Sequence, residues 1–147
     1  MRKGLLIGSD KEVAAWAFKN HNRVPIHVDK AFGIIEDGKL VGAALFSCYN
    51  MVNAEFSFYG KGALTRGIIR ELAKIALYEL HLARCTVIVP KRPTFLLRKM
   101  AKYHFRFEGI QRRYYGPTDS SRHTGCRFVV FNDGMLKLAG ETVKKAA

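Results

Sequence analysis

The sequence predicts a single α/β domain of the α+β kind, a mixed, mostly antiparallel sheet with helices on both faces, and three observations predict it. The first is size: 147 residues fill one core and leave no room for a second full domain. The second is composition, since 48% hydrophobic and 25% charged residues supply a real core and argue against disorder. The third is a periodicity that alternates along the chain between the two-residue repeat of strands and the longer repeat of helices. The domain is expected over residues 1–134, with 135–147 a tail or short helix.

Each element has a local reason. Ser9-Asp10-Lys11-Glu12 has the form of a capping box, in which the Ser and the Glu each satisfy an orphan amide of a first helical turn. The helix that follows puts Val13, Trp16, Ala17 and Asn20 inward and stops at Asn20-His21-Asn22. Residues 31–36 and 40–46 are apolar runs around Asp37-Gly38-Lys39, and Asp-Gly tolerates the positive φ of a tight hairpin. Residues 54–59 alternate between two faces and form the next strand. They lead into Gly60-Lys61-Gly62-Ala63-Leu64-Thr65 and then the longest helix, about 64–82, striped by Ile68, Ile69, Leu72, Ile75, Ala76 and Leu80. Residues 85–89 are mostly β-branched and uncharged, the mark of a buried strand, expected parallel to the strand before the helix. A helix over 93–103, with Pro93 in its first turn, turns Leu96, Met100 and Tyr103 inward. Strands near 107–115 and 127–131 complete the sheet, and the polar loop between them, 116–125, is the candidate for disorder or a functional lid.

The charge balance narrows the partners. Twenty-five Lys and Arg against 12 Asp and Glu give +13 and a pI near 10.0, a surface suited to nucleic acid, an acidic protein or a phosphate-rich cofactor. Cys48, Cys85 and Cys126 form no CxxC pair, so no zinc knuckle or redox motif is present, and their odd number argues for a reduced, cytoplasmic setting. The apolar stretch at residues 4–8 is too short for a signal peptide, no run is long enough to span a bilayer, and no metal site is expected.

The joint at residues 55–72 carries the most chemistry. Gly60 and Gly62 let backbone amides turn outward where a helix begins, and unsatisfied N–H groups there form an anion site. The plainer alternative is that both glycines only close a turn. The spacing fits neither a Walker sequence nor a dinucleotide fingerprint.

The stretch Tyr103-His104-Phe105-Arg106-Phe107-Glu108-Gly109-Ile110-Gln111-Arg112 resembles the signature of the GNAT acyl-CoA N-acyltransferases, especially the branch that acetylates ribosomal-protein amino termini and its phage-encoded relatives. In that signature Leu-Gly-Phe is followed by two residues, Glu-Gly, two more and Arg; Phe105, Glu108, Gly109 and Arg112 match, and His104 replaces the glycine. Asp37-Gly38-Lys39-Leu40-Val41-Gly42 is similar to the family's hairpin, and residues 58–72, with Leu64-Thr65-Arg66, resemble its acyl-CoA loop and helix. The likeness runs in the same order over about residues 10–131.

The resemblance implies acetyl-CoA as cofactor, its pantetheine in a splay between the fourth and fifth strands. Phe58, Tyr59, Gly60, Lys61, Gly62, Ala63, Leu64, Thr65, Arg66 and Gly67 would hold it, with backbone amides on the pyrophosphate and Lys61 and Arg66 adding charge. An Asn and a Tyr that assist in many members fall here on Pro93 and Met100, which can do neither job. Tyr103 is the substitute acid, or else an aromatic on the core side of its helix. Deprotonating the acceptor amine requires a base, and Glu55 is the first candidate, ahead of His27 and His81; the alternative for Glu55 is a solvent-facing edge residue. Glu108 is read as fixing a turn.

Arg98, Lys99, Lys102, Arg112 and Arg113, beside Tyr114 and Tyr115, make a face suited to nucleic acid or an acidic partner, or simply a solvated one. The expected function is therefore acetyl-CoA-dependent transfer of acetyl to an amine on a protein, a ribonucleoprotein or a small molecule, by a monomer or homodimer. The alternative is a catalytically inactive accessory protein, phage-type and acting in the host cytoplasm, that binds nucleic acid or a host complex through its basic surface.

Overall fold

The computed structural model describes residues 3–21 and 25–141. The expected helix end at Asn22, part of the loop after it, and residues 142–147 of the expected tail lie outside the described residues. In chain order the elements are β1 (Lys3–Leu6), α1 (Asp10–Asn20), β2 (Lys30–Glu36), β3 (Lys39–Ser47), β4 (Asn53–Tyr59), α2 (Arg66–Lys74), β5 (Arg84–Pro90), α3 (Phe95–Lys102), β6 (Arg106–Gln111), β7 (Gly125–Phe131) and α4 (Asn132–Leu138).

The seven strands make one mixed sheet in the order β1-β2-β3-β4-β5-β7-β6. All neighbours are antiparallel except β4 and β5, which the intervening helix forces to run parallel. The hairpin joins β2 to β3 through Asp37 and Gly38, at φ of +54 and +75. Alternation along the strands divides the core between two faces. On one face Val13, Ala17 and Phe18 of α1 pack on Ala31, Ala43 and Leu45. On the other, Ile68 and Leu72 of α2 and Met135 of α4 pack on Phe32, Ile34, Ala44 and Phe46. Leu96, Leu97 and Met100 of α3 cover Val87, Val89, Cys126 and Phe128. Each large side chain removed from water contributes roughly 1.5–3 kcal/mol.

Several elements differ from expectation for physical reasons. β1 was not anticipated: its four residues carry little periodicity and are fixed by pairing with β2. The Ser9 side chain makes no capping bond; the first turn closes through the Ser9 carbonyl to the Val13 amide at 3.0 Å, and Asp10 instead accepts from the Ala31 amide at 3.3 Å. Phe18, rather than Asn20, completes the inner face of α1. The expected long helix is α2 followed by a π turn over Ile75–Glu79, which keeps Ile75, Ala76 and Leu80 on the core side. Tyr103 lies at the C-cap of α3 instead of inside it. β6 stops at Gln111, before the expected Tyr115, because the chain turns at Arg113, where φ is +56. His104 sits at φ +68, the left-handed backbone for which the resembling signature uses glycine. The 116–125 loop is tied at its base: the Tyr115 amide donates to the His123 carbonyl at 3.0 Å, and the Thr124 hydroxyl donates to the Ser120 carbonyl at 3.0 Å. Met135 to Leu138 of the expected tail belong to α4, and Met135 is only 2% exposed.

One feature of the sheet positions the candidate site. β4 and β5 pair only at Asn53↔Arg84, Ala54↔Cys85 and Glu55↔Thr86. Beyond that point β4 remains paired to β3 out to Tyr59, and β5 remains paired to β7 out to Pro90. Each strand is held on its outer side while the inner sides part, so the sheet opens into a wedge.

Candidate active site

The wedge leads into a cavity of about 1120 Å³. It crosses the sheet, for its walls include Phe18 of α1 on one face and Ile69 and Leu72 of α2 on the other, with Leu96 and Met100 of α3 alongside. The peptide groups on the inner edges of β4 after Glu55 and of β5 after Thr86 have no partner in the opposite strand. They are hydrogen-bonding groups that any occupant can use. One is already taken: the Tyr115 hydroxyl donates to the Ile88 carbonyl at 2.8 Å.

At the open end the two glycines of the turn do different things. Gly60, at φ +118, lies so close to β3 that a Cβ there would collide with the Val41 carbonyl oxygen, so its glycine serves packing. Gly62, at φ +74, faces open space and leaves its surface accessible to a ligand. The turn is locked by the Ala63 amide on the Gly60 carbonyl at 3.2 Å, and Ala63 itself is buried. Thr65 caps α2, its hydroxyl accepting from the Ile68 amide at 3.3 Å. The first-turn amides of Arg66 and Gly67 precede any intrahelical acceptor and point outward at the positive end of the helix.

The structure brings most of the predicted cofactor residues together. Phe58, Tyr59, Gly60, Lys61, Gly62 and Leu64 line the cavity, whereas Ala63 sits beneath the turn and Thr65, Arg66 and Gly67 belong to the helix start outside its lining. Phe58 also packs into the main core, and Tyr59 contacts the His21 ring at 4.9 Å.

Glu55 is the last residue of β4 paired to β5, half-buried and on the cavity wall. It stands opposite Ser47, on the face that carries α1. Its carboxylate acts on the neighbouring exposed thiol, so Cys48 ionises above its ordinary range, mainly through the negative charge of Glu55. Tyr103 is half-buried on the opposite side of the sheet and also lines the cavity; the Lys102 ammonium lies 5.8 Å from its ring centre. His27 and His81 are exposed and are absent from the cavity wall. Glu108 is outside it too. Its carboxylate bonds the Arg84 and Arg127 guanidiniums, clamping β6 to β5 and β7, and Arg84 chiefly holds its pKa below the usual range.

Of the basic residues, Arg98, Lys99, Lys102, Arg112 and Arg113 are all exposed, and of these Lys99 reaches the cavity. Arg113 is engaged by Asp119 through two bonds of 3.0 and 3.2 Å. Sequence reasoning assigned no site role to Ile69, Ile88 or Arg122, which also line the cavity. The helical stripe contained Ile69, but nothing local distinguishes a stripe residue facing a core from one facing a cleft. Among the described residues no helix is long and apolar enough to cross a membrane.

No protein-family model matches the chain, and no curated protein matches its sequence. Solved structures do. A spermidine N-acetyltransferase from Vibrio cholerae, solved in complex with CoA and spermine, superposes with a TM-score of 0.70 at 15% identity, over 91% of this chain and 98% of that one. A chimera of the Vibrio cholerae spermidine N-acetyltransferase SpeG and hSSAT gives 0.71 at 13% identity, over 93% and 99%. A GNAT-family acetyltransferase from Streptococcus pneumoniae gives 0.68 at 12% identity, over 88% and 99%. The chain therefore has the GNAT acetyltransferase fold, as one α+β domain. At these identities the likeness is one of fold.

Proposed function

We propose that this protein is an acetyl-CoA-dependent N-acetyltransferase, moving acetyl to an amine by direct transfer in a ternary complex. The observation that carries the reading is the wedge: two strands held apart by their outer neighbours, with free peptide groups on both inner edges and a cavity that passes from one face of the sheet to the other. The residues fit the cofactor. An extended pantetheine arm has peptide partners along β4, and a diphosphate has outward amides around Gly62 and the start of α2, with Lys61 and Arg66 adding charge. Acetyl-CoA, when bound, supplies the acetyl group as an activated thioester.

The chain's own residues then divide the work. Unpaired β4 amides are donors placed to polarise the thioester carbonyl. The acceptor amine enters from the face of α1, past Phe18, where Glu55 stands at the apex of the wedge as its proton acceptor. Tyr103, on the other face, is the donor available to the departing thiolate. The walls orient both reactants, and this positioning is the larger part of the catalysis. A protein amino terminus, a lysine or a small amine all suit such an entrance; a neighbour of this fold holds spermine beside CoA. The ribosomal-protein branch and a phage-type origin rest on the motif text alone.

A second reading, a non-catalytic binding protein of the same fold, is favoured by Pro93 and Met100 and by the exposed basic residues of α3. Calorimetry with acetyl-CoA separates the two. Micromolar binding, lost on Gly62→Glu without loss of folding, supports the transferase. No binding, together with steeply salt-dependent binding of single-stranded nucleic acid, overturns it.

A further inference from the structure

A second cavity, about 570 Å³, lies across the mouth of the wedge, between the end of β5 and the loop before β7. Its walls are Arg92, Pro93, Thr94, Ser120, Ser121 and Arg122. Arg92 and Arg122 also line the wedge cavity, so the two spaces share these side chains. Both are exposed, and among the described residues neither is ion-paired with a carboxylate, as is also true of Arg66, Arg70, Arg98 and Arg112; Arg92 and Arg122 are the two that converge on this one cavity. The remaining polar wall adds three hydroxyls, and Thr94 is the N-cap of α3 with no side-chain capping bond. Two unpaired guanidiniums, hydroxyls and an uncapped helix start form a set rich in donors, without a carboxylate. Such a set suits a phosphate monoester, whose oxygens accept bidentate bonds from arginine.

We propose that this pocket binds the 3′-phosphate of coenzyme A. The assignment rests on the transferase reading, which puts the diphosphate on the turn around Gly62 and so directs the nucleotide end of the cofactor to the mouth of the wedge. It also specifies the donor class. A phosphopantetheine arm on a carrier protein has no 3′-phosphate to place there, so the pocket selects free coenzyme A thioesters over carrier-borne ones.

The test is calorimetric titration of the full chain with CoA and with 3′-dephospho-CoA, at fixed ionic strength. The wild-type chain should bind CoA about ten- to a hundredfold more tightly than 3′-dephospho-CoA, the range expected for charge-assisted bonds to one phosphate. Arg92→Ala combined with Arg122→Ala should reduce CoA to the level of 3′-dephospho-CoA and leave the latter within about twofold. Arg122→Gln, on the loop and away from the start of α3, should give the same selective loss in smaller measure. Adenosine 3′,5′-bisphosphate should compete with CoA for the wild-type chain more strongly than adenosine 5′-monophosphate does, whereas a free phosphate site would be blocked equally by inorganic phosphate. Equal wild-type affinity for the two coenzymes, equal weakening of both in the variants, or full competition by inorganic phosphate overturns the assignment while leaving the transferase reading intact. Failure of both coenzymes to bind overturns the two together.

Discussion

The two ends of the β4–β5 pair are built on opposite principles. At the closed end three residue pairs form a parallel ladder, prolonged by the amides of Ala83 and Arg84 on the Val52 carbonyl. The Thr86 hydroxyl, fully buried, donates to the Asn53 side chain across the pair at 2.8 Å. A few residues further on, Phe58 packs toward α2 and Val87 and Val89 pack under α3, with Phe56 touching both clusters, and the two backbones are no longer paired. The open strands are not poor strand formers; each is fully paired on its other side. What separates them is the packing of two different helices against two halves of one sheet. A binding site arises there because it is where polar backbone is left over.

Breaking this contrast should give graded effects. The largest is expected at Gly60, whose Cβ would press into β3 at a positive φ: Gly60→Ala should cost about 2–4 kcal/mol and lower the melting temperature by about 10 °C, whereas Gly62→Ala, strained but unobstructed, should cost about 1–2 kcal/mol. Similar losses at the two sites in thermal melts would show that the turn is not pinned to β3. Next is the closed end. Thr86→Val keeps the shape but strands the Asn53 oxygen, and urea denaturation should register about 1–3 kcal/mol; a neutral result would mean that the apex is held by the backbone ladder alone.

Glu55→Gln sharpens the chemical side of the comparison. Turnover should fall on the order of 10²-fold while acetyl-CoA affinity stays within about twofold. Because the Glu55 charge raises the Cys48 pKa, the same variant should alkylate faster at Cys48 near pH 8. Equal losses of turnover and cofactor affinity would make Glu55 structural. The smallest effect belongs to Glu108. Arg84 depresses its pKa in the folded state, so its contribution to stability is present above the unfolded carboxylate value, about 4.3, and is lost as pH falls through the folded value. Melting temperature should therefore decline less steeply between pH 5 and about pH 3 in Glu108→Gln than in the wild-type chain. The effect is small because the pair is partly in solvent; a difference that grows toward high pH would reverse the assignment.

Much of the fold could be read locally. The Asp37-Gly38 turn, the alternating residues of β4 and the apolar run of β5 each carry their own conformational preference, and the structure forms each of them. β1 could not be read this way, since a short strand with one exposed glycine exists only through its partner β2. The end of β6 was equally hidden: residues 112–115 have strand-like composition, but the Arg113–Asp119 pair and the His123 ring against Gly116 fold them into the loop instead. In the candidate site, the glycine turn and Glu55 were visible as residue types at a strand–helix joint. Tyr115 meeting Ile88, Glu55 meeting Cys48, and Arg92 facing the same pocket as Arg122 join residues far apart in the chain or brought together by a turn of positive φ.

By itself, the sequence determined most of the strands and helices, where a peptide turn could expose its amides, and how much positive charge the chain would carry, because these follow from side-chain periodicity, glycine's freedom and simple addition. Only the tertiary structure decided that β4 and β5 would part after Thr86, which glycine would be buried against β3 and which left open, and which arginines would go without a carboxylate. Those outcomes depend on which surfaces meet, and that is settled by packing across the whole sheet.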